Sequence, residues 1–146
     1  MSTETDYSHR TAVQKLGVRP DERVEVAGDV GPALRRDVKD TLGRGLVRSG
    51  ELDGAIVAVE SLEDAKGALV TYRQRLRDTG YLWMVTRKRG HERYLNQMSL
   101  VPYAKTLGLI DNKTCSVDDE RSAIRFVIPR ALRGRDGDGD GTAGQG

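Results

Sequence analysis

Cysteine, aromatic residues and long apolar stretches are scarce in this 146-residue sequence, and each scarcity excludes a class of protein. The single cysteine, Cys115, cannot form a disulfide within the chain, so the sequence lacks the framework of a small secreted domain. No apolar run approaches the ~20 residues that a membrane-spanning helix needs, and the polar start is not that of a signal peptide. We therefore expect a cytoplasmic protein without a membrane partner.

An excess of charge of one sign is also missing. Charged residues make up 32% of the sequence, yet 24 Lys and Arg against 22 Asp and Glu leave a formal net charge of only +2. A dedicated nucleic-acid-binding domain usually carries a sustained basic field, so nucleic acid is a disfavoured partner and any basic site must be local.

The length fits one domain with one hydrophobic core. We expect a flexible N-terminus over residues 1–7, a single α/β domain over 8–130, and a disordered tail rich in glycine and aspartate over 131–146. Within the domain, segments with strand and helix patterns alternate. Strands are predicted at 23–27, 55–59 and 81–85, and helices at 8–17, 32–42, 61–80 and 92–107, the last one bent near Pro102. Residues 46–48 are a candidate for a further short strand.

The strand at 55–59 is apolar throughout, which is typical of a strand covered on both faces. Two further strands, at 114–117 and 122–128, are joined by the acidic turn Asp118-Asp119-Glu120. This order predicts a Rossmann-like three-layer sandwich with right-handed crossovers and a mostly parallel sheet that ends in an antiparallel β-hairpin. The order of elements resembles a reduced class I methyltransferase fold.

A local basic cluster follows the strand at 81–85. Arg87, Lys88, Arg89 and Arg93 stand at the carboxyl end of that strand, the edge where open α/β sheets bind ligands. Four cations beside a predicted helix start predict a site for a phosphate or carboxylate group. The alternative is a solvated basic loop with no ligand.

A glycine-containing turn follows the first strand. Gly28 and Gly31 stand where Rossmann enzymes hold a phosphate or an adenosyl cofactor on backbone amides. The fingerprint is incomplete, because this turn contains no Gly-x-Gly and Pro32 lacks an amide hydrogen. A plain strand-to-helix turn is therefore the preferred interpretation, with S-adenosylmethionine or a nucleotide as the alternative ligand.

No residue combination indicates catalysis or a metal site. His9 and His91 are far apart in the sequence, and His91-Glu92 is not a zinc-protease motif because residue 95 is leucine. Cys115 follows Lys113 closely, and a nearby lysine can lower the pKa of a thiol. A buried cysteine that fills space is the alternative, and it is preferred because no base accompanies the thiol.

Several short motifs resemble the bacterial family called Domain of Unknown Function 3052. They are Tyr7-Ser8, Lys15-Leu16-Gly17, Leu82-Trp83, Lys88, the run from Gly108 to Cys115, and Arg125-Phe126-Val127. The resemblance spans about residues 7–129 and implies a small Rossmann-like domain with no known activity, substrate or catalytic residue. The sequence departs from the family pattern at Arg121, where we expect a tryptophan. An exposed charge would there replace an apolar anchor.

The resemblance adds Asp111, Asn112 and Lys113 to the candidate ligand-binding residues, with turn formation as the alternative role. Our leading prediction is a non-catalytic binding or regulatory module for an anionic small molecule or an acidic partner. Its site would be a hollow shared by the basic loop and the turn at 111–115. The second prediction is an enzyme, a reduced methyltransferase that binds S-adenosylmethionine at the Gly28–Gly31 turn.

Overall fold

A computed structural model describes residues 11–133 of the protein. The predicted flexible segment 1–7, residues 134–146 of the predicted tail, and His9 lie outside the described residues. Residues 131 and 132 belong to a 3-10 turn, Arg130–Leu132, and the Arg133 side chain donates a hydrogen bond to the Ile128 carbonyl at 2.8 Å. No helix within residues 11–133 is long and apolar enough to cross a membrane.

Helices and strands alternate along the described part of the chain, as predicted. In chain order they are α1 Ala12–Leu16, β1 Val24–Ala27, α2 Pro32–Thr41, β2 Leu52–Ala58, α3 Leu62–Arg73, β3 Leu76–Arg87, a 3-10 turn Gln97–Leu100, α4 Val101–Thr106, β4 Ile110–Ser116 and β5 Arg121–Val127. Helix starts follow the capping signals of the sequence. Thr11 and Ser61 cap α1 and α3 through their hydroxyl groups, and Pro32 opens α2.

The five strands form one sheet in the order β1-β2-β3-β5-β4. β1, β2 and β3 are parallel neighbours, whereas β5 is antiparallel to both β3 and β4. The closing hairpin therefore does not simply extend the sheet, because its second strand is inserted between β3 and the first. β4 becomes the edge strand, and most of its residues are exposed.

Helices cover both faces of the sheet, which confirms the predicted three-layer sandwich. On one face, Leu69 of α3 and Ala104 of α4 pack with Met84 and Phe126 of the sheet. On the other face, Leu16 of α1 and Val38 of α2 pack with Ile56 and Trp83. Trp83 and Phe126 are fully buried, one in each core. The only tryptophan of the chain thus anchors the α1 and α2 side, where its indole N–H donates to the Leu16 carbonyl at 3.0 Å.

The connection from β1 to β2 passes around the free edge of β1. Leu46 packs against the core on the α2 side and Val47 against the opposite core, while the Val47 amide donates to the Val24 carbonyl at 3.0 Å. Residues 46–48 thus lie beside β1 without forming the short strand suggested by the sequence. This segment covers an edge that would otherwise expose unpaired backbone groups.

The helices that follow β1 and β2 lie on opposite faces of the sheet. The strand order advances in one direction from β1 to β3, while α2 packs in one core and α3 in the other. Residues 46–48 pass the free edge of β1 between α2 and β2, since Leu46 packs against one core and Val47 against the other.

Two helix predictions are corrected. The segment predicted as a helix at 92–107 forms only α4 and the 3-10 turn before it. Local hydrogen bonds compete with helix formation in its first part, because the Arg93 amide donates to the His91 ring and Asn96 caps the 3-10 turn. The helix predicted at 61–80 ends at Arg73, and Leu76 instead begins β3, where it pairs with Leu52. Leu76 would be buried both in a longer α3 and in β3, so hydrophobic periodicity alone did not distinguish helix from strand at this residue.

Candidate functional site

Three acidic or basic side chains meet where the parallel strands end. Asp29 follows β1, Glu60 follows β2, and Arg87 is the last residue of β3. Because β1, β2 and β3 are parallel neighbours, their carboxyl ends lie along one edge of the sheet. Only Arg87 was singled out from the sequence. The two carboxylates were missed because each stands alone in its own turn.

Arg87 is the centre of an ion-pair network at this edge. Its guanidinium contacts Glu60 at 3.1 Å, Glu120 of the β4–β5 turn at 3.1 Å and Asp29 at 3.4 Å. The side chain is only 13% exposed. Arg93 binds the other oxygen of Glu60. Hydrogen bonds from Arg93 and Arg87 hold the pKa of Glu60 below its ordinary value. The charges of Arg87 and Arg93 are therefore neutralised within the chain.

Arg121 closes the same network from the hairpin. Its guanidinium contacts Asp118 at 2.8 Å and the Asp29 carboxylate at 3.2 Å, and its Nε donates to the Asp29 carbonyl at 3.2 Å. The side chain is 11% exposed, so the expectation of an exposed charge at this position is wrong. Arg121 is paired with two carboxylates, and its contacts to Asp29 fasten the hairpin turn to the turn after β1.

The glycine turn after β1 is packed and internally bonded. Gly28 and Gly31 have positive φ angles of 77° and 99°, and a Cβ at Gly28 would lie 2.9 Å from the Ala58 carbonyl oxygen. The Val30 amide donates to the Gly28 carbonyl, and the Gly31 amide to the Asp29 carboxylate, both at 3.1 Å. The Gly31 amide, followed by Arg121, lowers the pKa of Asp29. Two amides of the turn are thus used inside it, as the plain-turn interpretation expects.

The order of the strands determines whether the sheet forms a crevice for a cofactor beside β1. Ligand crevices of open α/β sheets form where the strand order reverses. From β1 through β2 to β3 the order advances in one direction, so the described strands contain no such reversal beside β1. A Cβ at Gly31 would lie 3.2 Å from the Asp118 carboxylate and 3.4 Å from the Arg121 guanidinium. The space facing this glycine is therefore occupied by the protein's own side chains.

Lys88 and Arg89 differ from their basic neighbours, because within residues 11–133 neither has a carboxylate partner. The Lys88 ammonium donates to the Ser116 hydroxyl at 2.8 Å, and the Arg89 guanidinium lies 5.5 Å from the centre of the Tyr94 ring. Both border a depression of about 200 Å³ at the end of β3. Its other lining residues are Thr86, Arg87, Tyr94, Leu95, Asn96, Gln97, Met98 and Ser122.

Asp111, Asn112, Lys113 and Cys115 belong to the edge strand β4 and do not form the predicted turn. Asn112 is the extra residue of a bulge, since Asp111 pairs with Phe126 and Lys113 with Arg125. The Lys113 ammonium lies 3.5 Å from the Lys15 carbonyl. Cys115 is half-buried, and burial raises the pKa of its thiol despite the nearby Lys15 and Lys113. The packing role of Cys115 fits this environment better than a nucleophilic one.

The basic loop and residues 111–113 do not share the predicted hollow. The register places Asp111 beside Phe126, which pairs with Leu82 of β3. Leu82 precedes Arg87 by five residues, which is about 16 Å along a strand. The tertiary structure instead joins the basic loop to Asp29, Glu60 and the tip of the hairpin.

The arrangement of helices and strands is that of a Rossmann-like methyltransferase fold, and solved structures share it. A precorrin-6y C5,15-methyltransferase from Geobacter metallireducens matches with a TM-score of 0.58 and 8% identity, covering 81% of this chain and 85% of that one. Aeropyrum pernix fibrillarin with natively bound S-adenosyl-L-methionine matches with a TM-score of 0.51 and 17% identity, covering 82% and 76%. At these identities the similarity concerns the fold.

The family is defined by the sequence itself. Residues 13–130 match the model of a family described as protein of unknown function (DUF3052), and the chain belongs to this family. The resemblance found in the short motifs is thereby confirmed. No curated protein matches the sequence.

Proposed function

We propose that this protein is a cytoplasmic, non-catalytic module that binds an anionic small molecule in the depression at the end of β3. The observation that carries the proposal is the contrast among four neighbouring cations. Arg87 and Arg93 are paired with carboxylates, whereas Lys88 and Arg89 border the depression and have no carboxylate partner among the described residues. Their charge is available to a ligand.

The shape and chemistry of the depression fit a small ligand with an anionic group and a flat apolar part. Lys88 and Arg89 supply charge, while the Tyr94 ring, 39% exposed, offers a stacking surface. Asn96 and Gln97 add amide groups beside it, although the Gln97 amide already donates to Thr86 at 3.0 Å. Arg87, paired with Glu60, Glu120 and Asp29, also lines the depression. Asp111, Asn112 and Lys113, at the other end of the hairpin, are not part of this proposal.

The experiment is isothermal titration of the full chain with nucleotides, acyl-coenzyme A species and sugar phosphates. We expect one of these classes to bind, and the double variant Lys88→Ala/Arg89→Ala to weaken binding at least tenfold, because two charge-assisted contacts are lost. The matched control is Arg36→Ala/Lys39→Ala, which removes the same charge from the exposed face of α2. Absence of binding by every class, or equal weakening by both double variants, would refute the proposal.

A second candidate is a reduced methyltransferase that binds S-adenosylmethionine at the Gly28–Gly31 turn. It is supported by the fold shared with methyltransferases, one of them with bound S-adenosyl-L-methionine. Thermal unfolding with and without the cofactor tests it, since ligand at one hundred times its Kd stabilises a protein by about 2.7 kcal/mol. Because Arg121 and Asp118 face Gly31, Arg121→Ala should be measured as well. An unchanged Tm for both proteins would eliminate this candidate.

A further inference from the structure

A larger cavity lies at the opposite end of the sheet, near the amino ends of the parallel strands. Its volume is about 590 Å³. The turn before β1, the start of β2, the first half of β3 and β5 contribute its polar lining: Arg19, Asp21, Glu22, Asp53, Arg77, Thr79, Tyr81 and Arg125. The carboxyl edge with Arg87 is at the far end of β3, so this cavity is a separate site.

Three of the six charged side chains that line this cavity, Glu22, Asp53 and Arg77, are paired within the described residues. Glu22 accepts a hydrogen bond from the Tyr81 hydroxyl at 2.9 Å and one from the Arg19 amide at 3.0 Å. Asp53 accepts from the Arg23 amide at 2.8 Å and pairs with Arg77 at 3.4 Å. These contacts fix two carboxylates and one guanidinium in the cavity wall.

Arg19 and Asp21 are exposed, and Arg125 is the remaining charged residue of the cavity wall. Its Nε atom is buried and has no hydrogen-bond partner, and its guanidinium forms no ion pair with any residue in the range 11–133. The guanidinium instead lies 5.5 Å from the centre of the Tyr81 ring. Burial of an N–H group of a cation without an acceptor is costly, because the group gives up its water. The terminal N–H groups of this guanidinium have no hydrogen-bond partner in the range 11–133 either, and Arg125 lines the cavity, so they are available to an anion there.

Tyr81 holds this arrangement in place. Its ring packs directly over Gly54, where any Cβ would overlap the ring, and its hydroxyl is tied to Glu22. Burial, followed by the nearby Glu22 charge, raises the pKa of Tyr81, so its hydroxyl remains a hydrogen-bond donor at neutral pH. The ring thus supports the Arg125 guanidinium by a cation–π contact without neutralising its charge.

We propose that this cavity binds a small molecule through a carboxylate group paired with the Arg125 guanidinium. A guanidinium presents its N–H groups as a planar fork that matches the two oxygens of a carboxylate. Glu22 and Asp53 in the same wall disfavour a doubly charged phosphate, because like charges at close range repel. A singly charged carboxylate can pair with Arg125 and is repelled less by Glu22 and Asp53 than a doubly charged phosphate.

The protein carries its own reporter for this site. Trp83 is the only tryptophan, and its indole N–H donates to the carbonyl of Leu16, which lines the cavity. In a 15N-labelled full-length chain, the indole N–H signal and the Arg125 Nε–H signal can be followed together. The probes are acetate, L-glutamate and inorganic phosphate. We expect saturable shifts of both signals with the carboxylates, and weaker or no saturation with phosphate.

The variant Arg125→Gln removes the charge and the fork, and we expect it to weaken carboxylate binding at least tenfold. Arg125→Lys keeps the charge but not the planar fork of N–H groups, so its affinity for carboxylates should lie between those of the parent and Arg125→Gln. The matched control Arg44→Gln alters an exposed arginine after α2 and should bind like the parent. The proposal is overturned if the parent shows no saturation at about 10 mM carboxylate, if phosphate binds more tightly, or if Arg125→Gln binds as well as the parent. If Arg125→Gln fails to fold, the parent titration and Arg125→Lys still decide.

Discussion

Individual arginines of this protein differ in how their charge is satisfied, and that difference separates scaffold from candidate site. Arg87 and Arg121 are nearly buried and each contacts at least two carboxylates. Arg89 and Arg125 rest on tyrosine rings and have no carboxylate partner within residues 11–133. An arginine that is paired with carboxylates fixes the local structure, whereas an arginine without a carboxylate partner can bind an anion.

Gly54→Ala tests the packing that holds Tyr81 in place. A Cβ at residue 54 would overlap the Tyr81 ring, and such overpacking costs about 1–3 kcal/mol of the free energy of unfolding. The control is Gly67→Ala in the exposed face of α3, where nothing lies within 4 Å of the added carbon. This second change should stabilise the protein by about 0.5–1 kcal/mol, since alanine favours a helix. Urea unfolding measures both, and equal stability of the two variants would contradict the packing argument.

Glu60 gives stability a dependence on acid pH. Its pKa in the folded protein is lowered from an ordinary value of 4.5, so its contribution is fully present above that value and is lost as the pH falls through the folded-state pKa. Glu60→Gln should therefore be less stable than the parent by about 0.5–1 kcal/mol at pH 7, because Arg93 is 60% exposed and solvent screens its pairing with Glu60. The two proteins should converge below pH 4.5.

Unfolding measured from pH 7 to pH 3 provides this test. Asp40→Asn, an exposed carboxylate of α2, is the control and should follow the parent throughout. A constant difference between parent and Glu60→Gln down to pH 3 would show that the ion pairs do not cause the stability difference.

Among the structural elements, the hairpin of β4 and β5 has the largest effect on the site. β5 enters the sheet between β3 and β4, which brings its turn to the carboxyl edge beside the turn after β1. Glu120 and Arg121 then complete the pairing of Arg87 and Asp29. The hairpin therefore determines which basic residues remain available at that edge.

Arg121→Ala should loosen the turn after β1. Loss of the contacts to Asp29 and Asp118 should cost about 1 kcal/mol, because both carboxylates are substantially exposed. Exchange of the Val30 and Gly31 amides should become several-fold faster, up to about tenfold. Hydrogen exchange measured by NMR tests this, with Arg130→Ala as a control. Unchanged exchange at Val30 and Gly31 would show that the turn is ordered without the hairpin.

At the scale of the whole fold, residues 11–133 form two cores separated by one sheet, and this separation affects how mutations combine in their effect on stability. Ile56 faces the α2 core and Ile124 the α3 core. Both are fully buried, so Ile56→Val and Ile124→Val should each cost about 0.5–1.5 kcal/mol. In the double variant the costs should add within about 0.5 kcal/mol, since the two side chains lie in different cores.

The comparison pair lies within one core. Ile124 pairs directly with Met84, and both side chains belong to the α3 core. Met84→Leu with Ile124→Val should therefore deviate from additivity by about 0.5 kcal/mol or more. Denaturant unfolding of the single and double variants measures both pairs. Strong coupling between Ile56 and Ile124 would indicate that the sheet transmits packing changes between its faces.

Local patterns predicted much of the architecture. The apolar run around Ile56 predicted β2, Ser61 predicted the start of α3, and Pro32 predicted the start of α2. The short motifs predicted the family. These features depend on hydrophobic periodicity and backbone preferences of neighbouring residues, which a sequence displays directly. Where two structures bury the same side chain, as at Leu76, periodicity was insufficient.

The sequence by itself determined a three-layer α/β domain, its two buried central strands and the position of a basic loop at the end of β3. Only the tertiary structure decided that β5 inserts beside β3, that Arg87 and Arg121 meet Asp29 and Glu60, and that Arg125 has no carboxylate partner in the described chain. The physical reason is distance along the chain. Asp29 and Arg121 are 92 residues apart, and no local preference specifies which distant charges will meet.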